Sequence, residues 1–258
     1  MFMATAYPRI NVATMFDEVV RDCGGVVLSE RLPQPRFKNA DYVFHFEKIV
    51  CELKCLTEDN LYSPANQLRT QRLIDEYYDN GRIESREINE SNWTQWPQEL
   101  QTKIYDVTTR SIKKRIHKAN TQIRETKREL KLDQYHGLLV LANDGIISLP
   151  PAAFIHAAFL VLRRGFTEIR YFIYITANLF TAIREAPIPA LFWIGFDLQR
   201  GPKMDTNFTN RLRLNWERLV CRKTGIPGVE EELRDIEGFW KARHIDPSAS
   251  SGQRRYRK

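Results

Sequence analysis

Hydrophobic residues in the first quarter of the chain follow a helical spacing and then form strand-like runs. Within residues 11–23 the apolar positions recur every three or four residues, which predicts a helix that stops at the glycine pair behind it. The short apolar run at 26–28 predicts a strand. Two β-rich runs, at 41–46 and 49–56, are separated by only two polar residues and therefore predict a hairpin.

A polar stretch follows at residues 57–110, and we expect it to be a helical insertion. Its pattern predicts a helix at 64–78 and a second helix that opens at Pro97. The loop between them carries Trp93 and Trp96. These aromatic side chains are either exposed, where they could stack on bases, or buried beneath the insertion.

The second half of the chain alternates between helical and strand-like patterns. Residues 111–131 carry a narrow apolar stripe at alternating spacings of four and three, which predicts a long helix with one buried face. Such alternation predicts an α/β or α+β fold, a mixed central sheet flanked by helices. The other predicted elements are a strand at 137–142 buried on both faces, a helix at 151–164, strands at 168–176 and 190–196, and a helix at 206–221.

Composition places the chain among ordinary globular proteins. It has 258 residues, of which 43% are hydrophobic and 28% are charged. Four cysteines do not suffice for a disulfide framework, and the longest apolar stretch is shorter than the roughly 20 residues of a membrane span. We expect a cytoplasmic protein that makes no membrane contact, with a single domain to residue 245 and a basic, disordered tail at 246–258.

Positive charge is concentrated in two places. The net charge is +7, and residues 250–258 contribute four bases and no acid. Residues 111–131 hold eight bases and two acids, a local excess of six. A basic helix on a balanced body indicates a polyanion such as nucleic acid as partner, although a merely solvated helix face is equally compatible with this pattern.

Glu52-Leu53-Lys54 is the most informative short motif. Residues at alternate positions of a strand share one face, so Glu52 and Lys54 point the same way, into a pocket or onto the rim of the sheet. An edge strand with a charged solvent face is the alternative. Asp41 starts the paired strand, and cross-strand partners approach within about 5 Å. Two converging carboxylates suit Mg²⁺, and the lysine could orient a water molecule.

The order of these elements resembles the PD-(D/E)XK nuclease superfamily, whose restriction endonuclease-like core would occupy residues 11–56 and 111–145. The matching features are an acid on the opening helix (Glu18), Asp41, Glu52-x-Lys54, a helix and a buried strand. Ala40 stands where the family name implies proline. Residues 146–245 would then form a C-terminal α/β extension of that core.

The resemblance implies a role for each residue. Asp41, Glu52 and the Leu53 carbonyl would hold Mg²⁺, for which Mn²⁺ could substitute. Lys54 would orient the attacking water and Glu18 would assist. On the basic helix, Gln122 and Lys118 would fix the phosphate, with Lys114 and Arg115 as further candidates for binding substrate.

The expected function is hydrolysis of phosphodiester bonds in nucleic acid, DNA before RNA, in prokaryotic restriction or anti-phage defence. The alternative is an inactive nuclease-fold protein that binds nucleic acid or assembles with others, as a homodimer or with partner subunits. Cys51 and Cys55 are expected in the core, because four residues of strand span about 13 Å, too far for one zinc ion. His45 shares strand parity with Asp41 but is expected to pack at the surface.

Overall fold

The computed structural model describes residues 8–32, 35–59, 63–163, 165–182, 191–198, 201–225 and 242–245. Its centre is a six-stranded mixed sheet with helices on both faces, which agrees with the expected α/β class. The tail predicted at 246–258 lies outside the described residues.

The chain opens with a helix and enters the sheet at its edge. Helix α1 (Val12–Asp22) begins at Asn11, whose side chain accepts a hydrogen bond of 3.1 Å from the Thr14 amide. Strand β1 (Val26–Val27) is shorter than predicted, because Leu28 already begins the one-turn helix α2 (Leu28–Arg31). The Leu28 amide still donates to the Asp41 carbonyl at 2.8 Å, and the chain turns away after that bond.

The predicted hairpin is present and lies inside the sheet. Its first strand is antiparallel both to β1 and to the second strand, which in turn runs parallel to the strand predicted at 137–142. The alternative of an edge strand with a charged solvent face is therefore wrong for Glu52 and Lys54, since β3 lies inside the sheet and both side chains are buried. The strands are β2 (Tyr42–Phe44), β3 (Ile49–Leu56), β4 (His136–Asn143), β5 (Ile169–Thr176), β6 (Phe180–Ala182), β7 (Trp193–Asp197) and β8 (Arg243–Ile245).

The sheet order is β1-β2-β3-β4-β5-β7, and β6 pairs with β8 in a separate two-stranded sheet. Strand β5 runs parallel to β4, and β7 is antiparallel to β5. The residues predicted as a C-terminal extension thus complete the same central sheet as the predicted core. Strand β7 begins three residues after the predicted position 190, which itself lies outside the described residues.

Each face of the sheet is covered by its own pair of helices. Helix α1 and helix α8 (Thr206–Thr224) pack on one face, while the long basic helix α6 (Arg110–Glu129) and helix α7 (Pro151–Leu162) pack on the other. The predicted apolar stripe of α6 is buried at Ile112, Ile116, Ala119 and Ile123. None of the described helices combines the length and the apolar character that a membrane span needs.

The insertion forms a helical unit with its own small core. Helices α3 (Pro64–Asp79), α4 (Glu90–Trp93) and α5 (Gln98–Thr108) precede α6. Trp96 is 5% exposed and Trp93 packs against the same cluster, with the two ring centroids 6.0 Å apart. Burial within the insertion is therefore observed for Trp96, whereas Trp93 is only partly buried.

Gly137 provides a test of how tightly α6 and the sheet pack. A Cβ atom there would lie 2.1 Å from the Glu168 carbonyl oxygen and 2.9 Å from an Ile123 methyl carbon. We expect Gly137→Ala to lower the free energy of unfolding by about 1–3 kcal/mol, the usual cost of overpacking. Urea denaturation measures this free energy.

Gly195→Ala in β7 is the matched control, because its Cβ would meet nothing closer than Ile173 Cγ1 at 3.9 Å. This variant should unfold within about 1 kcal/mol of the wild type. Equal stability of both alanine variants would contradict the close approach of backbone at Gly137.

Candidate functional site

Glu52 and Lys54 lie on the face of β3 that α6 covers. Glu52 is 0% and Lys54 8% exposed, so the two charges are inside the protein rather than on its rim. The Lys54 ammonium donates a hydrogen bond to Glu52 Oε1 and a second, of 2.9 Å, to Gln122 Oε1. The buried ion pair is thus completed by a polar side chain of α6, since burying a charge is tolerable only when it is paired and hydrogen-bonded.

Asp41 stands directly opposite Glu52, as the hairpin pattern led us to expect. Tyr42 pairs with Cys51, which places the preceding and following residues side by side. The Asp41 amide donates to Glu52 Oε2 at 3.1 Å, and the Leu53 amide donates to Asp41 Oδ2 at 2.9 Å. Two backbone bonds therefore hold the carboxyl groups together.

The Leu53 carbonyl lies on the same side of β3 as the Asp41 carboxyl group. The amide and the carbonyl of one residue in a strand point to the same side, and the Leu53 amide faces the Asp41 carboxyl group. Strand β2 begins only at Tyr42, so β3 has no further β2 partner beyond Cys51. The Leu53 carbonyl consequently faces the side of the strand where Asp41 lies.

Burial shifts the protonation of both carboxyl groups. Desolvation and, after it, the charge of Asp41 raise the pKa of Glu52 to about 8, although Lys54 opposes both effects. Desolvation also raises the pKa of Asp41, against the hydrogen bond from Leu53 and the charge of Lys54. Near neutral pH the carboxyl pair thus retains a proton, and Lys54 balances the remaining negative charge.

Helix α1 brings Asp17, rather than Glu18, into electrostatic contact with Asp41. Asp17 Oδ1 accepts a 2.9 Å hydrogen bond from the Tyr42 hydroxyl, and its charge raises the pKa of Asp41. Glu18 Oε2 lies 3.6 Å from a guanidinium nitrogen of Arg222 on α8. The acid assigned from the resemblance therefore lies in a different ion pair, and the helical spacing alone did not distinguish between the two neighbours.

Helix α6 is hydrogen-bonded to the segment before Asp41. Gln122 Nε2 donates to the Asn39 carbonyl at 2.7 Å, and the Ala40 amide donates to Thr126 Oγ1 at 2.6 Å. Gln122 thus contacts Lys54 and the backbone, so it acts as a positioning residue for the lysine. Thr126 lies on the buried side of α6, and no signal in the sequence indicated this bond.

The remaining predicted residues of α6 lie on different sides of the helix. Arg115 is close enough to Cys55 for its charge to lower the pKa of that thiol, which burial raises to about 11 overall. Lys114 and Lys118 line an open groove of about 700 Å³ on the outer side of α6. Of the predicted phosphate-binding residues, only Gln122 contacts the buried pair directly.

Four further residues lie outside the hydrogen-bonded cluster. Cys51 is buried as expected, whereas Cys55 is only half-buried, and its pKa is raised by burial and by the nearby charges of Asp144 and Asp41. Asp144, directly after β4, is half-buried and accepts a hydrogen bond from Asn178; burial raises its pKa. His45 lies 3.0 Å from the Tyr135 hydroxyl in an exposed turn and is not part of the site.

The donor set fits a hard divalent cation. Among the described residues, no group of three or more His, Cys, Asp and Glu side chains has a metal-binding arrangement. Mg²⁺, however, commonly takes only one or two protein carboxylates and keeps several waters. Asp41, Glu52 and the Leu53 carbonyl could supply three oxygen ligands. Lys54 at present donates to one of the Glu52 oxygens that a cation would need.

Comparison with known proteins does not extend this description. No family model, curated protein or solved structure matches the chain.

The raised pKa of Glu52 predicts a specific pH dependence of stability. Between about pH 4.5 and pH 8 the unfolded chain releases the Glu52 proton, whereas the folded protein retains it. The unfolded state then binds fewer protons, so the free energy of unfolding should fall as pH rises, by up to about 1.4 kcal/mol per pH unit. Urea denaturation at pH 5, 6, 7 and 8 in EDTA measures this fall.

Glu52→Gln should remove most of that fall, because glutamine does not titrate. Glu87→Gln, a change at an exposed acid, is the matched control and should behave like the wild type. Parallel stability curves for the wild type and Glu52→Gln would show that Glu52 ionises in the folded protein at its ordinary pKa.

Proposed function

We propose that the protein is a Mg²⁺-dependent nuclease with a PD-(D/E)XK-like site. The observation that carries the proposal is the meeting of Asp41, Glu52 and Lys54 in one buried cluster, next to Gln122 of the basic helix. Buried charges destabilise a fold unless each is compensated, so a cluster of this kind is typical of a functional site.

Asp41, Glu52 and the Leu53 carbonyl would hold the cation. A bound Mg²⁺ supplies Lewis-acid stabilisation of the charge that develops on a phosphate. Ionisation of the carboxyl pair is required first, because a protonated Glu52 is a poor ligand. To act as a ligand, Glu52 would therefore give up both the shared proton and its hydrogen bond with Lys54.

Lys54 would act on the substrate once it leaves Glu52. Its ammonium group donates to Gln122 at 2.9 Å, and Gln122 is itself bonded to the Asn39 carbonyl, so the lysine would keep one hydrogen bond to α6 without Glu52. A positioned ammonium group can orient the attacking water and offset negative charge on the phosphate. Gln122 would then contribute through Lys54 rather than by contact with the phosphate.

The substrate follows from charge and from the resemblance. Helix α6 carries Lys114, Arg115 and Lys118 on the turns just before Gln122, where phosphates could be neutralised. A preference for DNA over RNA and a role in restriction or anti-phage defence rest on the resemblance alone. Homodimers or partner subunits stay predictions as well.

A nucleic-acid binding or assembly protein without activity is the second candidate. The observation in its favour is the Lys54–Glu52 ion pair, which takes up an oxygen that a cation would need. The two candidates differ in one measurable respect, because only the nuclease needs Asp41 and Glu52 to bind a cation.

Removal of any charged member of the cluster should abolish or sharply reduce cleavage. We expect no detectable cleavage by Asp41→Asn and Glu52→Gln. Lys54→Ala should lower turnover by about two orders of magnitude or more, the scale of one positioned electrostatic group. The assay incubates labelled single-stranded and duplex DNA and RNA with Mg²⁺, Mn²⁺ or EDTA.

Isothermal titration with Mn²⁺ distinguishes residues that bind the cation from a residue that acts only on the substrate. Asp41→Asn and Glu52→Gln should lose Mn²⁺ binding, whereas Lys54→Ala should retain it. Unchanged Mn²⁺ affinity in both carboxylate variants would overturn the metal assignment. Turnover by Lys54→Ala within a few-fold of the wild type would reduce Lys54 to a structural charge.

Asp17 and Glu18 form a matched pair for testing the acid on α1. Since Asp17 faces Tyr42 and acts on Asp41, Asp17→Asn should lower cleavage more than Glu18→Gln does. It should also lower the pKa of Asp41, visible as a shift in the pH profile of cleavage. A larger loss with Glu18→Gln would instead support the assignment made from the resemblance.

A further inference from the structure

A groove lies along the outer side of α6, and neither Asp41, Glu52 nor Lys54 lines it. Its volume is about 700 Å³, and five cationic side chains line it together with a single acid, Asp106. The cations are Lys38, Arg110, Lys113, Lys114 and Lys118. The groove is therefore strongly positive.

Among the described residues, these cations lack the ion pairs that neutralise Lys127 and Arg128 of the same helix. In the C-terminal half of α6, Lys127 pairs with Glu168 at 2.8 Å and Arg128 with Glu129 at 2.6 Å. Within the part of the chain that the structure describes, none of the five groove cations forms an ion pair. The positive charge of the groove is thus left for a ligand.

The position of the charge on the helix supports the same conclusion. Arg110, Lys113 and Lys114 lie close together in the first two turns of α6. The first turn of this helix contains no acidic residue. Like charges at this spacing repel one another, and bound anions would relieve that repulsion.

An aromatic wall distinguishes the groove from a simple basic surface. Phe166 lines it and lies edge-on to His117, with ring centroids 5.9 Å apart and ring planes at 79°. Positive grooves combined with aromatic side chains are typical of sites for single strands, because unpaired bases can stack on the rings. The bases of a duplex are already stacked on one another.

We propose that this groove binds single-stranded nucleic acid, with phosphates on the lysines and arginines and one base against Phe166. Lys118 lies one helical turn, about 6 Å, before Gln122, and Lys38 lies three residues before Asp41. A strand in the groove would thus run toward the buried cluster. Only the identification of this strand as the substrate rests on the proposed function.

The test measures binding in EDTA, so that no cleavage is needed. Fluorescence anisotropy of the full chain with a labelled 12-nucleotide single strand, and with the same sequence as a duplex, gives both affinities. We expect tighter binding of the single strand. Lys114→Glu should weaken it at least ten-fold and reduce the log-log salt slope by about 0.7 or more.

Arg124→Glu is the matched control, since Arg124 is an exposed base of the same helix outside the groove. The charge change is identical, so a loss within about three-fold is expected from the general field alone. Equal weakening by both variants would overturn the proposal in favour of diffuse attraction to a basic surface.

Stacking is tested separately with a strand that contains 2-aminopurine. We expect its fluorescence to be quenched by the wild type and much less by Phe166→Leu, which should also weaken single-strand binding roughly ten-fold. Thermal unfolding checks that this variant folds, and His117→Ala provides a second, independent change in the same wall. Undiminished quenching in both variants would overturn the stacking part.

Failure of the two proposals can be told apart. Groove-dependent binding without cleavage in Mg²⁺ or Mn²⁺ would support the groove as a binding site and overturn the proposal of nuclease activity. Cleavage that depends on Asp41 and Glu52 but is indifferent to Lys114→Glu and Phe166→Leu would do the reverse. Tighter binding of the duplex than of the single strand would also overturn the inference.

Discussion

The burial of a lysine and a glutamate in the middle of a sheet is the constraint on which the rest of this structure depends. Desolvation of two charges costs several kcal/mol per ion and is recovered only with good geometry and further hydrogen bonds. Here those bonds come from two separate elements. The Asp41 amide, just before β2, donates to Glu52, and Gln122 on α6 accepts from Lys54 while it donates to the Asn39 carbonyl. The buried ion pair thus fixes the hairpin and the basic helix relative to each other, because both supply hydrogen bonds to it.

The same cluster is nearly neutral. Because burial favours a shared proton on Asp41 and Glu52, the ammonium of Lys54 faces about one negative charge. That ammonium donates one hydrogen bond to Glu52 and one to Gln122. The charge balance of the cluster and the position of Lys54 therefore depend on one set of hydrogen bonds.

The charged side chains of helix α6 differ in their electrostatic surroundings from one end of the helix to the other. Its buried stripe packs on the sheet, and Gln122 on one flank supports the cluster. Near the C-terminus its bases are neutralised by Glu168 and Glu129, and thereby contribute to the fold. Toward the N-terminus the bases have no such partners among the described residues and face a groove with an aromatic wall. Net charge alone could not show this division, since it counts paired and unpaired bases equally.

Local pattern by itself determined most of the elements and the pairing of Asp41 with Glu52, because strand parity and a two-residue connection act over short distances. The apolar stripe of α6 was likewise set by spacing. Tertiary structure alone decided that β3 is interior, that Trp96 is buried and that Asp17 rather than Glu18 acts on Asp41. These outcomes depend on which surfaces pack against each other. Asp17 and Glu18 are adjacent on α1 and differ by about 100° in direction, so the packing of α1 against Tyr42 and α8 decides which of them lies near Asp41.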